Sequence, residues 1–274
     1  MIKRDSKKVL REYNQEKWPY VLRKINDVIS RGEKSLSRVL SLTLDELRHN
    51  KENKKIDVIF DGKQPIEILS SFAYGGNQSF ISNKIISSSI GEELTIVELG
   101  SGYGRNLFWL WLHGGPKNAK YLACELAETG RECTKRLASL ATDMNIETHH
   151  FDFYKPDIKS IIKDSKNILF FTCHSIEQIP FISQDFFDEL LISDATVKCI
   201  HFEPIGWQIR KTTGTSDLVG SNEQHAEQND YNRNLWEILN LLKSQNKIDL
   251  DEVAPEIIGI NTVNSTSLIS WHKL

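Results

Sequence analysis

Three glycines in five residues separate two apolar runs: residues 95–112 read TIVELGSGYGRNLFWLWL, with Gly100, Gly102 and Gly104 at the junction. Glycine weakens the interior of helices and strands because it loses the most backbone freedom on folding. Three so close together mark a turn that needs unusual backbone angles or that something approaches closely. TIVEL has the length and branching of a buried strand, and RNLFWLWL the length of a buried helix. A strand followed at once by a buried helix is half of a parallel crossover, so this junction constrains the rest of the chain. It needs further parallel strands beside it and helices over both faces.

Downstream the chain supplies both. Apolar strand candidates are 95–99, 120–125, 146–151, 167–173 and 197–202, with two more near 256–260 and 267–271. Helical stretches at 105–112, 128–143, 156–164 and 183–192 separate the first five. This rhythm predicts right-handed crossovers and a mainly parallel sheet. Only NTVNST joins the last two strands, so they pair as an antiparallel hairpin, an ending unusual for a dinucleotide-binding sheet.

Charge divides the chain unevenly. Residues 1–55 hold 15 Lys and Arg against 8 Asp and Glu, and apolar residues at helical spacing, with Gly32 as a helix stop between two such stretches. They read as a helical N-terminal extension, and HNKENKKID as a polar break before an α/β domain over 56–274. The apolar runs are too short to span a bilayer, and the charged N-terminus has no apolar core, which predicts no secretory leader. Four cysteines occur singly, as expected of buried reduced thiols in a cytoplasmic protein.

Carboxylates stand at the carboxyl ends of the first three strands of this map. Glu98 precedes the loop, Glu125 ends the second strand, and Asp152 follows the third between Phe151 and Phe153. An acid after strand two is placed for ribose hydroxyls, and an acid flanked by aromatic rings suits a purine and its amino group. VELGSGYGRN, with these later acids and the final hairpin, resembles the class I S-adenosylmethionine-dependent methyltransferases over residues 71–274. The resemblance implies a Rossmann-like sheet of seven strands, mostly parallel with the last antiparallel, and S-adenosylmethionine as cofactor. It implies that Glu98 lies near the methionine amino group and that Gly100, Ser101, Gly102 and Gly104 pack on the methionine part. Glu125 and Leu126 would meet the ribose, and Asp152 and Phe153 the adenine. FAYGGNQSF matches a segment that closes over the cofactor in that family, which adds Tyr74 and Gln78 as weaker candidates. Binding of NAD fits less well, since its pattern needs glycine or alanine where Arg105 stands, and Glu98 would face a pyrophosphate.

Methyl transfer is an in-line displacement that needs alignment and, for a hydroxyl acceptor, a base. The acceptor is expected over the ends of strands four and five, where His174, Glu177, His201 and Glu203 fall. His174 is the first choice of base, with Glu203 orienting it and Glu177 in reserve; each has an alternative as a loop or capping residue. Spacings match no metal motif. The segments that mark base N-methylation, cytosine C5 methylation and arginine methylation are missing after strand four, so nucleic acid is an unlikely acceptor and a small polar molecule the expected one. The polar insertion 206–242 is expected to cover that acceptor, with Trp207, Tyr231 and Arg233 touching it and Arg210, Asn229 and Asn232 beside them. Residues 1–55 are expected to pack over the active-site rim or to make a homodimer contact, and the alternative function is a non-catalytic cofactor-binding scaffold that docks a partner through those basic helices.

Overall fold

The computed structural model describes residues 4–48, 54–89, 91–191, 194–214 and 222–274. Residues 49–53 of the expected polar break, Ile192 at the end of the expected helix 183–192, and residues 215–221 of the long insertion lie outside that set.

Seven strands form one sheet: β3 (Leu94–Leu99), β4 (Lys120–Glu125), β5 (Ile146–His150), β6 (Asn167–Cys173), β7 (Thr196–Glu203), β8 (Ile248–Ile258) and β9 (Thr266–Lys273). Their order is β5-β4-β3-β6-β7-β9-β8, parallel from β5 to β7, with β9 antiparallel to both neighbours. All six residues of β3 are buried because helices cover both faces of the sheet. Val97 and Leu99 belong to the apolar cluster on one face, Ile96 to that on the other. The first cluster is roofed by α7 (Ile158–Ile162), α8 (Gln184–Leu191) and α11 (Leu235–Ser244). The second is roofed by α4 (Ser70–Ser88), α5 (Arg105–Leu112) and α6 (Glu128–Ala138). Two short helices, α9 (Gly206–Thr213) and α10 (Asn222–Asn229), follow β7.

The N-terminal extension is helical, as its periodicity predicts: α1 (Ser6–Arg11), a π-type turn Glu12–Lys17, α2 (Trp18–Ser30) and α3 (Leu36–Arg48). Asp5 caps α1 by accepting a hydrogen bond from the Lys8 amide, and Pro19 stands in the first turn of α2, where its missing N–H costs nothing. Gly32, at φ +93°, follows the end of α2. Val21, Ile25 and Val28 recur on one face of α2 and join the second cluster with Val39 and Leu40 of α3.

Three elements depart from the sequence expectation. FAYGGNQSF lies inside α4, reached through a ribbon of β1 (Lys55–Val58) and β2 (Ile66–Leu69). Gly75 and Gly76 lie inside this helix without being crowded: a Cβ at Gly75 would meet nothing within 4 Å, and one at Gly76 only Ile258 of β8 at 4.0 Å. β8 begins at Ile248 rather than near 256: as an edge strand it exposes its polar side, tolerates Pro255, and lacks the apolar run that marks a central strand. α6 stops at Ala138, short of 143, and the chain turns through residues 139–145. Among the described residues no helix is long and apolar enough to cross a membrane.

Candidate functional site

The chain runs from β3 to β4 on one side and later to β6 on the other, so strand order reverses beside β3. Ligand crevices in open α/β sheets form outside the strand carboxyl ends at such a point. Here that crevice is a cavity of about 320 Å³, lined by the glycine loop and by residues after β4, β5 and β6.

The loop leaves β3 with Gly100 and Ser101 donating to the Cys124 carbonyl at 2.8 and 3.0 Å, which ties it to the end of β4. Gly100 (φ +77°) and Gly102 (φ +56°) hold backbone angles that L side chains rarely adopt. Space denies them a side chain too: a Cβ at Gly100 would strike Ser175, and one at Gly102 would lie 2.8 Å from the Trp18 indole. The bare backbone is thus approached by the chain's own residues on two sides. Gly104 precedes α5 and leaves its N-terminus without a side-chain cap.

Three carboxylates line the cavity in the expected order. Glu98 is buried; its Oε1 accepts from Asn106 at 2.7 Å, while Oε2 has no partner. Burial pushes its pKa up to about 8, against the Asn106 hydrogen bond and the Arg105 charge. Glu125 accepts from the Gly102 amide at 2.8 Å and the Ala127 amide at 2.9 Å, so it holds the loop in shape. Burial raises its pKa, and those two N–H groups oppose the rise. Asp152 accepts from the Tyr154 amide at 2.9 Å and from the Ser6 hydroxyl at 3.1 and 3.2 Å. Leu126 and Phe153 complete that wall, and Phe153 stacks edge-on against Phe151 at 4.9 Å.

His174 lines the cavity's other side in left-handed backbone, φ +52°. Its Nδ1 faces Glu177 Oε2 at 3.0 Å and its Nε2 faces Thr266 Oγ1 at 2.8 Å. Burial disfavours the charged ring, but the charge and hydrogen bond of Glu177 prevail, and the pKa rises above the ordinary value. Glu177 is itself buried, bonded to Gln178 and Asn264, and stands behind His174 rather than on the cavity wall.

Glu203 does not line the cavity. Its carboxylate accepts the amides of Ser175, Ile176 and Glu177, all at 3.1 Å, and so fixes the turn that carries His174. His201 is also off the wall: fully buried, it pairs with Thr172 at 3.0 Å and accepts the Trp271 indole N–H at 3.0 Å. β7 brings His201 level with Thr172 of β6, one residue short of the rim, so the ring stays under α8.

The residues expected to touch an acceptor or close over the cofactor sit elsewhere. Trp207 is buried in α9 with Lys211 over its ring, Tyr231 stacks with His225 and Arg4, and Arg233 pairs with Asp230 at 2.7 Å. Arg210 forms a buried ion pair with Glu256, Asn229 bonds His225, and Asn232 braces the loop through the Ile179 carbonyl and Leu235 amide. Tyr74 and Gln78 lie in α4, outside the cavity wall, because that segment is helix packed on the sheet rather than a flap.

The N-terminal extension covers the cavity instead. Ser6, Val9, Tyr13 and Trp18 line it, and Asn14 accepts the Thr129 amide at 3.0 Å. Arg105 and Asn106 also line it. For the extension the sequence carried one signal, apolar and aromatic residues at helical spacing with no partner nearby in the chain.

No family model matches the chain, and no curated protein does. Among solved structures, an O-methyltransferase from Bacillus cereus in complex with SAH is 11% identical, with 73% of this chain and 81% of that one covered at a TM-score of 0.48. Geranyl diphosphate C-methyltransferase from Streptomyces coelicolor A3(2) is 11% identical, covering 73% and 79% at the same score. A SAM-dependent methyltransferase from Aquifex aeolicus is 15% identical, covering 70% and 89% at 0.41.

Proposed function

We propose that the protein is an S-adenosylmethionine-dependent methyltransferase acting on the O or N of a small polar acceptor. The observation that carries this is the convergence of the glycine loop, Glu98, Glu125 and Asp152 on one cavity at the point where strand order reverses. The buried Glu98 Oε2 without a partner fits the cofactor, because an ammonium there meets its unfilled acceptor. When bound, the cofactor supplies an electrophilic methyl group on a cationic sulfur. Glu125 spends one acceptor position of each oxygen on the loop and keeps others for ribose hydroxyls. Asp152 and Phe153 face the base. His174 is the candidate proton acceptor: with Glu177 at Nδ1 the ring presents its Nε2 lone pair, now held by the Thr266 hydroxyl. An acceptor hydroxyl would take the place of that hydroxyl; an amine acceptor would need alignment alone.

One observation favours the non-catalytic alternative, a cofactor-binding scaffold: both ring nitrogens of His174 are already engaged. Incubation with methyl-labelled S-adenosylmethionine and a metabolite extract separates the two. Label appearing in a small product supports transfer; saturable binding with no labelled product supports the scaffold, and absence of binding overturns both.

A further inference from the structure

An unbroken file of side chains runs from the start of the N-terminal extension to His174. Arg4 Nη2 donates to Gln178 Oε1, Gln178 Nε2 donates to Glu177 Oε1 at 2.6 Å, and Glu177 Oε2 faces His174 Nδ1 at 3.0 Å. The directions in this file are forced. A guanidinium can only donate, so Gln178 turns its oxygen toward Arg4 and its N–H toward Glu177. Arg4 itself is buried and stands off the cavity wall. Its guanidinium also reaches Glu12 of the extension at 3.0 Å and lies over the Tyr231 ring, and its amide donates to Asp230 at 2.6 Å.

Glu203 already fixes the backbone of residues 175–177, so only side-chain orientation remains to be set there. A competing arrangement stands beside the one observed. Asn264 Nδ2 lies 3.1 Å from Glu177 Oε2 and 3.4 Å from His174 Nδ1. With Glu177 turned away, Asn264 can donate to Nδ1, and the single proton of the neutral ring, exchanging with solvent, comes to rest on Nε2, where Thr266 Oγ1 accepts it. The lone pair that a base needs is then gone. We infer that Arg4 is a positioning residue for His174: when the extension is seated, its guanidinium locks Gln178 and Glu177 so that Nε2 stays unprotonated, and when the extension lifts, the lock is released. Cover of the cavity and assembly of the base thus become one event. The inference rests on the reading of His174 as the proton acceptor.

Nitrogen NMR of the imidazole tests it, because the two ring nitrogens report which of them carries the proton. With the His174 signals identified by their loss in His174→Gln, the neutral ring of the wild type should be mostly the Nδ1–H form. Arg4→Met should lower the ratio of Nδ1–H to Nε2–H about 3- to 10-fold, what one hydrogen bond is worth. Gln178→Met breaks the file while leaving the Glu12 and Asp230 anchors of Arg4 in place; it should lower the ratio likewise, and it decides the matter if Arg4→Met does not fold. Glu203 and Arg105, whose charges also act on the ring, are untouched in both variants. A wild-type ratio retained in Arg4→Met would mean that Arg4 only anchors the extension; this overturns the inference and leaves the base reading standing. If the neutral ring of the wild type carries its proton on Nε2, the base reading falls and the inference with it.

Discussion

His201 and Glu203 stand two apart on β7 and share one side of the sheet, yet both serve the scaffold. Strand alternation tells which face a side chain takes but not how deep along the strand the covering helix reaches. That is why two titratable residues beside a strand end read as site residues in the sequence. By contrast the places of Glu98, Glu125 and Asp152 on the cavity wall were legible, because each stands at or just past the carboxyl end of its strand, where the crevice opens. His201 carries a consequence that can be measured. Burial holds its pKa down to about 3, so the folded chain keeps the ring neutral. The unfolded chain binds a proton near pH 6.5, so stability is full above that value and drains away as pH falls toward 3. From pH 7 to pH 4 this group should account for a loss on the order of 3 kcal/mol. His201→Gln, which keeps an acceptor for Trp271, should be less stable at neutral pH and lose less in acid. Urea titrations of both chains at pH 7 and pH 4 decide it; an equal gap at the two pH values would rule it out.

Among the elements, α1 and the turn Glu12–Lys17 have a peculiar balance of contacts. Neither has a fully buried residue, whereas α2 buries Val21, Ile25 and Val28. The segment is held by polar ties at its ends and middle: the Arg4 amide to Asp230 at 2.6 Å, the Ser6 hydroxyl to Asp152, and Asn14 to Thr129. Few buried apolar groups and several exchangeable hydrogen bonds describe a segment that opens locally at low cost. It also lies over the cavity, so ligand exchange is expected to pass through its opening. Amide hydrogen exchange over residues 6–17 should be faster than over α2 in the free protein and should slow when S-adenosylhomocysteine is added. Protection that is already equal to that of α2, or unchanged by ligand, would show that the strap is fixed. The sequence put the extension either over the site rim or in a dimer contact but did not name the residues that make the cover, since Ser6, Asn14 and Trp18 meet partners more than a hundred residues away. Nor could it announce α4, because two adjacent glycines weaken the local helix preference of residues 70–88.

For the whole molecule, the sheet was readable in the sequence because its central strands are continuous apolar runs, while β8 at the edge was mislocated because only three of its eleven residues are buried. The extension raises the larger question of whether the α/β unit stands without it. α2 and α3 are built into the cluster that also contains Phe108 of α5 and Cys133 and Leu137 of α6. Val21, Ile25, Val28, Leu36, Val39 and Leu40 are all nearly or fully buried there. At about 1.5–3 kcal/mol for each such side chain, this burial is on the order of 10 kcal/mol. That is comparable to the whole net stability of an ordinary domain, and its loss would also expose the facing sides of α5 and α6. Trp18, moreover, packs on Gly102, so the loop itself would lose a wall. A chain beginning at residue 54 is therefore expected to aggregate or remain partly unfolded and to lose affinity for S-adenosylhomocysteine at least tenfold. Light scattering, thermal melting and calorimetry on the two lengths provide the comparison. A soluble, monomeric short chain binding the ligand as tightly as the full one would mean that α2 and α3 are an appendage to the fold.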